Sequence, residues 1–328
     1  MKVLVPYPEN TAEVIRDILG DAATVVQSNR DAESMLAVGG DADIVTGGRI
    51  PSEYIRKAEK LKMIQAFGAG IDVIDLKVVL EQENLLLCNN HINAAEVAEY
   101  AIMLLLAAAK HIIISDGEFR SGDWNMAWGG PRPNLEIRNK TCLLLGLGNI
   151  GTAIAEQLKG FNVKIMAVTR TGAISQTDLV DEIVSINEVE TIIGKADFVI
   201  LSLPLTHQSK GLVDKKFLDG MKSTALLVNI SRGAIIVETA LYDALKEERI
   251  AGAALDVWWD YPEKYRGSGK FPSENVPFHE LSNVVLSPHR AAYSKNIMQD
   301  QIRFVGENIL RFIKGETPHN IVDLTRGY

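Results

Sequence analysis

The stretch Thr141 to Val168, TCLLLGLGNIGTAIAEQLKGFNVKIMAV, decides how the rest of the chain is read. Thr141 to Leu145 is a continuous apolar run of strand character, and Gly146-Leu147-Gly148-Asn149-Ile150-Gly151 follows it. A helix from Asn149 to Lys159 and a second strand from Val163 to Val168 complete the unit. A lone G-x-G-x-x-G is weak evidence, because glycine-rich turns are common. Here strand, turn, helix and second strand fall in order within about 30 residues, the context a dinucleotide fingerprint demands. Gly146 permits the tight turn, Gly148 lets backbone approach a pyrophosphate, and Gly151 allows close helix–strand packing. With Asn149 and Ile150 at the helix start, where free N–H groups favour phosphate, these residues are expected to hold the cofactor.

The end of the second strand bears on which dinucleotide is taken. NAD sites usually place Asp or Glu there to bind the ribose 2′-hydroxyl. This chain has Thr169 at that point, followed by Arg170. A carboxylate would repel a 2′-phosphate, whereas a guanidinium with a hydroxyl would bind one, so NADP is preferred over NAD. The plainer reading of Arg170 is a solvated loop residue.

Outward from this unit, short β-rich runs alternate with helix-period stretches, the pattern of an α/β protein with parallel sheets. Val3–Val5, Ile44-Val45, Met63–Phe67 and Leu85–Cys88 read as strands before it. Asp197–Leu203, Ala225–Ile230, Ala251–Val257 and Val284–Ser287 read as strands after it. One helix is expected from Ala94 to Ile113, apolar nearly all round. The Gly-, Pro- and Asn-rich segment Ser121 to Asn134 is expected as an irregular arm. The C-terminal helix carries Met298, Ile302, Val305, Ile309 and Phe312 as a packing stripe.

The 328 residues suggest about two domains. Lys plus Arg number 34 and Asp plus Glu 42, so the net charge is −8, which argues against a nucleic-acid binder. Two cysteines in apolar runs, Cys88 and Cys142, offer neither a disulfide scaffold nor a zinc pair, and no metal is expected. No signal-peptide pattern is present, and the run Tyr100 to Ala109 is shorter than the ~20 residues a bilayer span needs. A soluble, cytoplasmic protein without membrane partners is expected.

Three later strands end in polar residues, and strand ends of open α/β sheets line ligand crevices. Leu226–Asn229 leads to Ile230-Ser231-Arg232-Gly233, Ala254-Leu255 to Asp256-Val257-Trp258, and Val285-Leu286 to Ser287-Pro288-His289. With Gly68-Ala69-Gly70-Ile71-Asp72, Val97-Ala98-Glu99 and Leu203-Pro204-Leu205-Thr206, these segments resemble the D-isomer-specific 2-hydroxyacid dehydrogenases over nearly the whole chain, the glyoxylate/hydroxypyruvate reductases among them. The resemblance implies two domains with a cleft between them. Residues 1–95 plus 292–328 would form a flavodoxin-like substrate domain, and 96–291 a Rossmann-like dinucleotide domain. It implies that Arg232 binds the substrate carboxylate and carbonyl oxygen, that His289 is the acid/base, and that Ala69 and Gly70 hold the carboxylate through backbone N–H groups. Asp256 would orient the nicotinamide carboxamide, and Leu203, Pro204, Asn229, Ile230, Ser231 and His289 would border the cofactor. A homodimer is implied as well, with Trp124 and Trp128 in its arm.

These roles suit the chemistry. Hydride transfer to a ketone builds charge on oxygen; His titrates near neutrality and can protonate it, while Arg stays charged and polarises it. One position departs from the family, which has Glu five residues after the Asp of Leu-Asp-Val, pairing with the catalytic His. This chain has Tyr261 there. Tyr261 orienting His289 is the favoured reading, with Asp260 or Glu263 reaching in, or weak catalysis, as the others. The function expected is reduction of a small 2-keto acid, of glyoxylate or hydroxypyruvate type, to a D-2-hydroxy acid. Oxidation of formate or phosphite on the same scaffold, or a dinucleotide-sensing interaction protein, are the alternatives.

Overall fold

The computed structural model describes residues 1–173, 178–262 and 270–328. It divides into two compact units, Met1–Asn93 with Tyr293–Tyr328, and Ala94–Ala292.

The first unit is a five-stranded parallel sheet with helices between its strands. Its elements are β1 (Lys2–Val5), α1 (Glu9–Leu19), β2 (Thr24–Gln27), α2 (Ala32–Gly39), β3 (Ile44–Thr46), α3 (Ser52–Lys57), β4 (Met63–Gln65), α4 (Leu76–Leu80) and β5 (Leu86–Cys88). The strand order β2-β1-β3-β4-β5 is that of flavodoxin-like sheets. Strands buried on both faces read as apolar runs, which is why Val3, Leu4 and Val5 are all fully buried. The chain returns to this unit at its end as the helix Ile297–Ile313, which packs on α1. Gly306 makes that approach possible: a Cβ there would lie 2.8 Å from Ile18 Cδ1. Val305 and Ile309 are fully buried beneath it, each contributing about 1.5–3 kcal/mol of transfer energy.

The second unit begins with α5 (Ala94–Ala109) and α6 (Ile112–Arg120). It continues through β6 (Thr141–Leu145), α7 (Asn149–Leu158), β7 (Lys164–Thr169), β8 (Glu182–Ser185) and β9 (Phe198–Leu201). Then come α8 (Lys215–Asp219), β10 (Leu226–Asn229), α9 (Glu238–Lys246), β11 (Gly252–Leu255) and β12 (Val284–Leu286), which makes the C-terminal helix α10. Its seven strands, all parallel, lie in the order β12-β11-β10-β9-β6-β7-β8, a doubly wound sheet that reverses at β6.

Three expectations about elements change. The single helix expected from Ala94 to Ile113 is two helices bent by 61°, broken where His111 takes φ 51°. A left-handed residue cannot continue an α-helix. The strands β2 and β8 were missing from the sequence reading; both are short and only partly buried, so neither shows a full apolar run. In the C-terminal stripe Met298 is exposed. No single described helix is long and apolar enough to cross a membrane.

Candidate functional site

The glycine turn joins β6 to α7 with the geometry its residue types allow. Gly146 has φ 101°, a conformation that L side chains rarely adopt, and a Cβ there would meet the backbone of Leu203 at 2.9 Å. Gly151 sits under the turn, where a Cβ would lie 2.3 Å from the Gly146 carbonyl oxygen. Gly148 differs: nothing lies within 4 Å of its would-be Cβ, and it opens α7 with no side chain capping the helix. That exposed, uncapped helix start, with Asn149 exposed beside it and Ile150 half-buried, fits a dinucleotide pyrophosphate. Ser202, absent from the sequence reading, donates its hydroxyl to the Gly146 carbonyl at 2.9 Å and so fixes the turn to the end of β9.

At the end of β7 the Thr169 hydroxyl accepts the Gly172 N–H at 3.0 Å, closing the turn on itself. Gly172 has φ 72°, which suits a glycine. Arg170 is exposed beside this turn.

The segment after β10 is held by its own polar groups. Asn229 is fully buried; its amide donates to the Arg232 carbonyl at 3.0 Å and its Oδ1 accepts the Ser231 N–H at 3.0 Å. Ser231 Oγ donates to the Leu203 carbonyl, linking this loop to the one after β9. Pro204 is exposed there, its carbonyl accepting from Ser209 at 2.6 Å. Asn229, Ile230 and Ser231 were expected at the cofactor; all three are buried, and the two polar side chains shape the Arg232 loop. Arg232 itself is half-buried, with Nη1 donating to the Ser231 carbonyl at 2.7 Å. Gly233 must lack a side chain, since a Cβ would lie 2.4 Å from the Trp258 carbonyl oxygen.

After β12 the chain turns through His289, which is exposed and takes φ 52°. The Tyr261 ring lies against the imidazole, with centroids 5.4 Å apart and planes tilted by 50°. The Tyr261 hydroxyl accepts the Trp258 N–H at 3.1 Å, which anchors the phenol to the end of β11. Glu263 lies outside the described residues. Asp256 stands beneath the same turn. It is fully buried, and its carboxylate takes the Ser287 hydroxyl, the Arg290 N–H at 2.9 Å and the Ala291 N–H at 2.9 Å. It therefore underpins the His289 turn.

Strand order brings these loops together. β10, β11 and β12 are neighbours, so the carboxyl ends that lead to Arg232 and His289 stand two strand spacings, about 10 Å, apart. Gly146 follows the carboxyl end of β6 and Thr169 ends β7 on the same edge. The site needs that shared edge.

In the first unit, Ala69 lies in a bend after β4, with Gly70 just beyond it. Asn89 Nδ2 donates to the Ala69 carbonyl at 3.1 Å, and the Asn90 N–H to the Gly68 carbonyl at 3.1 Å. Burial holds the pKa of His91 below the ordinary histidine value, leaving it neutral near pH 7.

Residues 102–291 match the family model described as D-isomer specific 2-hydroxyacid dehydrogenase, NAD binding domain. The chain belongs to that family and is an oxidoreductase that uses a nicotinamide dinucleotide. It is 34% identical over 277 residues to a glyoxylate reductase of Korarchaeum cryptofilum, spanning 84% of this chain and 80% of that one. Among solved structures it is similar to an acyclic imino acid reductase in complex with NADPH and D-Arg, with TM-score 0.83, 27% identity and coverage of 98% and 100%. It is also similar to an NADPH-dependent glyoxylate/hydroxypyruvate reductase of Sinorhizobium meliloti in complex with NADP and malonate, with TM-score 0.80, 26% identity and coverage of 99% and 97%. Reduction of a keto acid is the activity these similarities support.

Proposed function

We propose that the protein reduces a small 2-keto acid, glyoxylate or hydroxypyruvate, to the D-2-hydroxy acid with NADPH in preference to NADH. The observation that carries this reading is the placement of Arg232 and His289 beyond the carboxyl ends of β10 and β12, on the edge that also carries the glycine turn. When bound, the reduced nicotinamide supplies the hydride. Arg232 anchors the substrate carboxylate and polarises the carbonyl, a donor that stays charged at every working pH. His289 delivers the proton to the carbonyl oxygen, and Tyr261 packs against its ring to fix the orientation.

The test is loss of NADPH absorbance on adding a panel of 2-keto acids. Arg232→Ala is expected to lose about 10²–10³ in kcat/KM, the scale of removing one oxyanion donor. Equal turnover by the variant would end the assignment. For the cofactor, Arg170, exposed just beyond β7, is the guanidinium that would meet a ribose 2′-phosphate. Arg170→Ala should raise KM for NADPH about tenfold, as loss of one charge-assisted contact does, and leave KM for NADH unmoved. A wild-type preference for NADH would remove the argument.

A second substrate class, 2-imino acids, is favoured by the similarity over nearly the whole chain to a reductase of acyclic imino acids. The same panel run with and without an added primary amine distinguishes the two. We also propose a homodimer, with the exposed apolar residues Ile112, Ile113, Phe119, Trp124 and Trp128 as its contact.

A further inference from the structure

We propose that Tyr100 and Ser287 are positioning residues for His289, acting through a chain of hydroxyls that ends on the buried carboxylate of Asp256. The inference rests on the reading of His289 as the acid/base.

The direction of the chain follows from proton counting. Ser287 has one hydroxyl proton, and it goes to Asp256 Oδ1. The contact between Tyr100 Oη and Ser287 Oγ, at 2.8 Å, must then be donated by Tyr100. Asp256 Oδ1 also takes the Arg290 N–H and Oδ2 the Ala291 N–H, both at 2.9 Å. On the near side, Trp258 Nε1 donates to the Ser287 carbonyl at 2.8 Å. Residues on both flanks of Pro288-His289 are thus tied down, and the tie reaches α5 through Tyr100.

The arrangement explains how His289 keeps its backbone. A histidine at φ 52° is disfavoured on its own and persists only where its surroundings over-determine it. A fully buried carboxylate is costly unless hydrogen-bonded, and here three donors meet it. Hydroxyls in series polarise one another, so the Tyr100 proton strengthens the Ser287 bond beneath the turn.

The experiment uses the whole chain and the variants Tyr100→Phe, Ser287→Ala, their double and Ser287→Thr. Amide hydrogen exchange at Arg290 and Ala291 reads the brace without reference to activity. Ser287→Ala should speed exchange of both amides by about tenfold or more, with a smaller effect for Tyr100→Phe. In turnover, Ser287→Ala should lower kcat by about 10-fold, as misplaced catalytic groups do, with NADPH affinity and KM within about twofold. Tyr100→Phe should add nothing in the Ser287→Ala background, the mark of a serial chain, and Ser287→Thr should behave as wild type. Unchanged exchange in Ser287→Ala, or full additivity of the two substitutions, would overturn the proposal. A wild-type chain that reduces no 2-keto acid, while the amides respond as described, would instead overturn the assignment of function and leave the brace standing.

Discussion

Two glycines show how single residues set the site. A methyl group at 151 would lie 2.3 Å from the Gly146 carbonyl oxygen, and one at 233 would lie 2.4 Å from the Trp258 carbonyl oxygen. Both obstacles are backbone, which cannot rotate away. Gly151→Ala is therefore expected to cost about 1–3 kcal/mol of stability, in the manner of overpacking, and to weaken NADPH binding. Chemical denaturation together with cofactor titration would check this, and an unchanged midpoint would contradict it. The role of Gly151 was legible from its place in the fingerprint. That of Gly233 was not, because its need arises from Trp258, which reaches it only through the β10–β11 pairing. The same holds for Ser202 and Ser287: a lone serine carries no signal until folding sets a carbonyl or a carboxylate opposite it.

At the scale of elements, the buried parallel strands were readable because both faces are covered and their residues run apolar without a break. The helix break at His111 was not, since nothing in that apolar stretch marks a left-handed residue. Asp197 ties two elements together, accepting the Thr141 N–H at 2.9 Å and the Lys222 ammonium at 2.8 Å. Burial alone would raise its pKa, but the bonds from Lys222 and Thr141, with the charges of Lys222 and Lys140, outweigh it and hold the pKa below the ordinary aspartate value. A carboxylate with a depressed folded pKa stabilises above its unfolded pKa of about 4, and that contribution is lost as pH falls through the folded value. Asp197→Asn should accordingly melt below wild type near neutrality, and the gap should close as pH drops under about 4. Melting curves across that range decide it; a gap independent of pH would show that the charge contributes nothing.

Over the whole molecule, one exposed face stands out. Phe119 and Trp124 pack edge to face at 4.8 Å, yet both remain more than half exposed, and Trp128 is fully exposed. Apolar patches of this kind mark contact surfaces. Sedimentation should find the wild type dimeric and Trp128→Ser shifted towards monomer, whereas a monomeric wild type would leave the patch to another use. Chain order carries a different consequence. The unit formed by Met1–Asn93 needs α10, whose Asn308 donates to the Gln65 side chain at 2.6 Å deep in its core. During translation that helix leaves the ribosome only after the dinucleotide unit has emerged in full. The nascent N-terminal segment thus waits, its α1 surface bare, for a partner still being synthesised, and in this window chaperones have their opening.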